Sequence, residues 1–288
     1  MTDTTELFEE DFEKVKKFSK ETRAKIKTMS NKEARYLVKS YYDAQEDRKR
    51  RNNQMRALQE DNLDSAVLGW FAEQADHLEK MVGNALDVYS SQNVIGAWVR
   101  TIKGIGPVIA AGLIAHLDIT RAPTAGHFLS FAGLVASIKW EKGKLRPWNA
   151  ELKRLCWIIG ESFVKVSGGE NPSPYGMFYT KWKKIYTDHN EAGKLRETAE
   201  QSLRNKNYSK DTLAYAAYIE GKLPKAHIHA LAKRKPVQLF ICHLFDFWYK
   251  EVYKIDPPEI YTISILKHAH KIPRHDEIDQ KEWARYFS

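Results

Sequence analysis

The sequence has little of what several large protein classes require. Only two cysteines, Cys156 and Cys242, occur in 288 residues. Two are too few for a disulfide-stapled scaffold, and both sit inside apolar helical patterns, so buried, reduced thiols and a cytoplasmic location are expected. No apolar run reaches the length of a membrane span; the longest, residues 104–117, is bounded by Lys103 and Asp118. Alternating runs that would serve as strands are scarce. The first thirty residues carry seven acidic and seven basic side chains and no signal-peptide core. Metal-ligand spacing is also missing. His227 and His229 stand two apart in a helical pattern and point to different sides, while His268, His270 and His275 have no cysteine or acid at zinc spacing. No metal and no cofactor is therefore expected.

What is present favours a folded, basic protein. The chain is 43% hydrophobic and 12% aromatic, ample for a packed core. Its formal net charge is +9 and its pI about 9.2, which favours an anionic partner, either nucleic acid or an acidic surface. The charge is uneven: residues 139–235 hold 20 Lys and Arg against 10 Asp and Glu. The electrostatic footprint thus lies in the second half.

Periodicity makes the fold all-α: a helical extension and a coiled-coil-like helix pair leading into a helix-hairpin-helix bundle. Ser30-Asn31-Lys32-Glu33 is a capping box opening a helix to about residue 58. In it Arg48-Lys49-Arg50-Arg51 reads as a solvated face, with phosphate contact as the alternative. After Asp64-Ser65, residues Leu68, Phe71, Ala75, Leu78, Val82, Ala85 and Tyr89 repeat at spacings of three and four. This seam packs either against the preceding helix or between two chains, so a homodimer through residues 65–91 is one expectation. Helices over 94–102 and 107–117 flank a glycine turn. A short helix after Thr124, a charged loop over 139–147, a helix capped by Asn149, a helix over 175–189 and a last one over 226–253 follow. Residues 191–222 are polar and least determined. The division expected is 1–92 as a helical region, 93–255 as the helix-hairpin-helix domain and 256–288 as a tail.

The turn is Lys103-Gly104-Ile105-Gly106-Pro107. Two helices joined by Gly-x-Gly can turn backbone amides outward together, since glycine lets a phosphate approach the main chain. The start of the next helix adds to the attraction, Pro107 suits its first turn, and Lys103 adds a charge. Such a grip reads backbone and not bases. The alternative is a plain turn between packed helices. Around it, Lys139, Lys142, Lys144, Arg146, Lys153 and Arg154 make a candidate groove, with Trp140 and Trp148 either stacking on bases or packing the loop. Lys225, Lys233, Arg234 and Lys235 form a second basic cluster. Asp118 reads as a helix end, and Glu141, Glu151 and Glu161 as salt-bridge partners.

Gly104-Ile105-Gly106-Pro107-Val108-Ile109-Ala110-Ala111, followed by Phe128-Leu129-Ser130-Phe131-Ala132-Gly133-Leu134, resembles the C-terminal domain of the RuvC-plus-serine, bridge-RNA-guided insertion-sequence transposases. Asn149-Ala150-Glu151-Leu152-Lys153-Arg154, Pro174-Tyr175 with Phe178-Tyr179, and the Ala230, Ala232, Arg234 and Lys235 pattern extend the resemblance over about residues 64–253. In that family a RuvC-like domain supplies four acidic metal ligands, but the first hundred residues here read as helical, so the catalytic half is expected to be missing. The family's nucleophilic serine aligns near Trp140 or Glu141. The nearby serine, Ser137, lies several residues early and lacks an obvious base. The resemblance implies DNA binding, with structured RNA as a second ligand, in transposition or recombination by a relative without catalysis. The rivals are a strand-transfer enzyme, using Ser137 or a RuvC-like subunit in trans, and a structural assembly protein with a basic surface.

Overall fold

A computed structural model describes residues 18–258 and 272–286 of the chain; His268 and His270 fall outside them. Every regular element among the described residues is helical, as the periodicity predicts. No described helix is long and apolar enough to cross a membrane. Contacts divide the chain into two compact units, one running to Thr101 and including Gly106–Leu117, the other comprising Ile102–Ile105 and the chain from Asp118 onward.

The first unit holds α1 (Lys20–Lys27), α2 (Asn31–Glu60), α3 (Ala66–Ser91), α4 (Val94–Arg100) and α5 (Pro107–His116). The capping box at Ser30 forms as expected: its hydroxyl accepts the Glu33 N–H, and Glu33 accepts the Ser30 N–H at 2.7 Å. Ser65 caps α3 through the Leu68 N–H. Asn31 meets Tyr89, and Arg48 meets Glu79, the register of an antiparallel α2–α3 pair. Only part of the α3 seam is covered. Ala75, Ala85 and Tyr89 are buried, while Leu68, Phe71 and Leu78 remain exposed. The apolar α5 closes this core, Ala111 and Ala115 packing with Val38, Leu86 and Tyr89.

Each cation of the basic run of α2 meets a carboxylate: Arg48 pairs with Glu79, Lys49 with Glu46, and both Arg50 and Arg51 with Asp47, and of these only the Arg48–Glu79 pair reaches a buried carboxylate. Burial pushes the Glu79 carboxyl up, but hydrogen bonds from Arg48, Gln45 and Tyr41 outweigh it and hold the group below its ordinary range. Lys49 and Arg50 are exposed, as a solvated face requires, whereas Arg48 and Arg51 turn toward Glu79 and Phe71 of α3.

The second unit holds a 3-10 turn (Ile119–Arg121), α6 (Ala125–Phe131), α7 (Ala150–Lys165), α8 (Pro174–Glu191), α9 (Arg196–Asn205), α10 (Leu213–Ile219), α11 (Lys225–Tyr253) and α12 (Gln280–Arg285). Asp118 caps the 3-10 turn through the Thr120 N–H at 3.0 Å. Thr124 stands at the α6 N-cap, yet its hydroxyl engages His127 instead of a backbone amide. α11 is the axis on which α6, α7 and α8 pack. Its core stacks Phe163 on Tyr175 at 4.9 Å, with Phe240 edge-on to both. Pro236 lies within α11 and is buried, so packing overrides its missing hydrogen bond. Cys156 and Cys242 are buried, and burial pushes both thiols up to about 12.

Residues 272–286 fasten onto α8 and α11. Arg274 meets Asp246, Glu277 and Asp276, and Trp283 is fully buried against Tyr175 and His243. His243 sits between the Tyr175 hydroxyl and the Ile272 carbonyl, each at 3.0 Å.

Candidate nucleic-acid interface

The turn between α4 and α5 uses its two glycines differently. Gly104 has φ +104°, and a Cβ there would press on Ser162 Oγ and Val166 Cγ2 at 3.2 Å. Its carbonyl accepts the Ser162 hydroxyl. Position 104 thus requires glycine for backbone conformation and for close packing on α7. Gly106 has φ −92° and ψ 177°, open to any residue, and a Cβ there would meet nothing within 4 Å. The Ile105 amide is taken by the Ile102 carbonyl at 2.9 Å, so it is not available to a phosphate. The amides of Gly106 and Val108 have no acceptor among the described residues. Lys103 is exposed, its ammonium resting on the Asn171 carbonyl.

The Ala132-Gly133-Leu134 segment and the start of α7 form one assembly. Gly133 has φ +65°, and its missing side chain makes room for Trp148 and Lys153. The Asn149 N–H donates to Phe131 O at 2.9 Å, Asn149 Oδ1 caps α7 at the Leu152 N–H, and Gln238 donates to Leu134 O at 2.8 Å. Trp148 therefore packs the loop, with Lys153 Nζ 3.7 Å from its ring centroid. Trp140 is 40% exposed, its Nε1–H donates to Lys144 O at 2.7 Å, and Arg146 lies over its ring.

Around α7 and α11 the cations separate into two groups. Lys233 is buried, paired with Glu161 and set over the Trp157 ring at 4.7 Å, its stem lying on Gly160. It is committed inside the fold. Lys144 pairs with Glu141 at 2.7 Å, both exposed, a pair weak enough to open. The other group has no such partner. Burial, then Arg234 and then Arg146, holds Lys153 below its ordinary range; burial and then Arg234 does the same to Lys235. The charged groups that lower these two lysines are cations. Arg234 is exposed at the centre, and Lys235 lies over the Trp182 ring at 4.3 Å. Like charges gathered without a carboxylate repel, and an arriving anion relieves that repulsion.

The remaining candidates scatter. Lys139, Lys142 and Arg154 are exposed, the first two in the loop and Arg154 beside Lys153 on α7. Lys225 opens α11 roughly 13 Å of helix from Arg234, nine residues at ~1.5 Å each. Ser137 is exposed in a turn, and among the described residues no hydrogen bond ties it to a base. No group of three metal-ligating side chains exists among the described residues. His227 and His229 diverge as expected, to Tyr218 and Tyr179. Sequence reasoning missed Trp157, 59% exposed; its spacing of four from Lys153, and of four from Glu161, was the available signal.

The arrangement is that of a helical protein with a basic face and a glycine turn, a combination that many different proteins carry. The comparison with known families is narrower. Residues 96–140, from α4 through the turn, α5 and α6 to Trp140, match the model of the transposase IS116/IS110/IS902 family. The match makes this segment transposase-like and supports a transposition-related function. No curated protein and no solved structure matches the chain.

Proposed function

We propose that this chain binds DNA in transposition or recombination, holding the phosphate backbone on the face formed by Arg146, Lys153, Arg234 and Lys235. The observation that carries this reading is the gathering of these cations with no carboxylate acting on the two lysines among them. The exposed Lys139, Lys142 and Arg154 are further contacts on this reading, and Lys144 joins once Glu141 releases it. The open position at Gly106 offers its main-chain amides to phosphate on this reading, and Lys103 is a further contact. Lys225 is a peripheral contact on this reading, and Lys233 supports the face from within. The contacts are to backbone, so little sequence preference follows. A homodimer would use the exposed Leu68, Phe71 and Leu78 of α3.

The test is retention of a labelled duplex on filters across a salt series. Affinity should fall linearly in log–log form, with a slope reflecting several phosphates, about 0.9 per contact. Gly106→Asp should weaken binding without unfolding the chain. Retention indifferent to salt, or no binding to any duplex, junction, single strand or RNA, would leave an assembly protein with a basic surface as the better description.

A further inference from the structure

The excursion between α8 and α11 builds a cavity that the DNA-binding reading does not use. Buried Asn190 donates from Nδ2 to the Leu223 carbonyl at 3.0 Å and accepts the Leu223 N–H at 2.7 Å. Lys222 reaches Glu191 at 2.7 Å, so residues 191–222 are closed on their own base. Ala199 of α9 and Tyr218 of α10 pack with Leu223 and with Ile228 of α11. Between these helices and the start of α11 lies a cavity of about 460 Å³, within the ~300–1,000 Å³ typical of small-molecule sites.

Its chemistry is specific. Tyr208 and Tyr218 form one wall, their rings 4.9 Å apart. The Tyr218 hydroxyl lies 3.0 Å from His227 Nδ1, and Nε2 of that ring has no partner among the described residues. Lys206 also lines the cavity, and no Asp or Glu does. Arg234 stands seven residues, two helical turns, along α11 from His227 and so on the same face. Burial first, then Arg234 and Lys206, keeps His227 below its ordinary range. An aromatic wall, a neutral imidazole and Lys206 without a carboxylate, with Arg234 two turns farther along α11, suit a planar base carrying a phosphate. An uncharged peptide or an acyl chain would leave the cations without a counter-charge.

We propose that this cavity takes one unpaired nucleotide, its base against Tyr208 and Tyr218 and its phosphate toward Lys206 and Arg234. The proposal rests on the DNA-binding reading and adds a preference for ends or junctions with unpaired bases. Stacking of this kind tolerates any base.

The full chain would be titrated with a blunt duplex and with the same duplex carrying a short single-stranded extension. The extended DNA should bind about tenfold tighter, the scale of one stacked base. Ala230→Trp fills the cavity from an exposed lining position and removes no charge. It should abolish the preference and leave the blunt-duplex affinity as it was, and Tyr208→Leu should do the same if the tryptophan disturbs folding. Equal affinity for the two DNAs overturns the proposal, as does a preference that survives both variants. If the chain binds no DNA, the DNA-binding reading falls. The cavity is then judged by saturation-transfer NMR with deoxyadenosine monophosphate: a signal lost in Ala230→Trp supports the site, and no signal overturns it.

Discussion

Replacing each turn glycine by alanine separates packing from binding. At position 104 a left-handed backbone is imposed on a residue that avoids it, which costs about 1–3 kcal/mol. The new methyl also presses on Ser162 Oγ and Val166 Cγ2 at 3.2 Å, so the total should reach about 2–4 kcal/mol. At position 106 the backbone is ordinary and the methyl meets nothing. There Gly→Ala should stabilise by about 0.4–1 kcal/mol through the unfolded chain. Urea unfolding reads both effects as a shift in midpoint at unchanged slope. DNA retention should follow the opposite order: Gly106→Ala should lose affinity several-fold because the methyl keeps a phosphate from the amide. A Gly104→Ala variant as stable as wild type would refute the packing of the turn on α7. A Gly106→Ala variant that binds like wild type would refute the approach of phosphate to the turn.

Other outcomes follow from the ion pairs and buried histidine. Burial brings His243 down to about 3, with Tyr175, Asp246, Arg274 and His275 around it. The unfolded chain, at about 6.5, takes up the proton first, so this histidine's neutral form supports folding above pH 6.5. That support is lost as pH falls, by about 2 kcal/mol at pH 5. Unfolding of His243→Gln across pH should show a flatter slope from 6.5 to 4; an unchanged slope assigns the acid sensitivity elsewhere. Arg48→Ala strips the buried Glu79 of its cation and should cost about 2 kcal/mol, whereas Arg50→Ala, in an exposed pair, should stay within about 0.5 kcal/mol. Neither should change DNA retention. Arg234→Ala should lower the salt slope by about one without loss of stability, while Lys233→Met should shift the unfolding midpoint and leave the salt slope alone.

The helices were legible in the sequence wherever an apolar stripe met a cap. Ser30 with Glu33, Ser65, and Asn149 with Leu152, Leu155, Ile159 and Phe163 all stand where those signals place them. The excursion at 191–222 was not legible, because α9 buries only a sparse stripe through Leu195, Ala199 and Leu203 and its polar composition masks that spacing. The spacing of the α3 seam predicts one continuous surface, yet its positions meet different surroundings, Leu68, Phe71 and Leu78 being exposed and Ala75, Ala85 and Tyr89 buried. Spacing reports which residues share a face, and only the partner decides how far that face is covered. The glycine turn was legible as a turn. That Gly104 serves packing and Gly106 is open depends on Ser162, far along the chain, which no local pattern could supply.

The basic residues show the same limit in electrostatic form. A run of four cations at residues 48–51 scores higher by sequence density than Arg234 with its two neighbours, yet every member of that run meets a carboxylate. Lys233 and Arg234 are adjacent, but successive helical positions point about 100° apart, so one turns inward to Glu161 and the other outward among cations. Net charge therefore locates the half of the chain where an anion would bind, and side-chain pairing selects the residues within it. The transposase-like segment at 96–140 ends in the loop before α7 (Ala150–Lys165), which carries Lys153. For that reason the cations on α7 and α11, outside the matched residues, are the decisive place to test whether the resemblance extends to DNA.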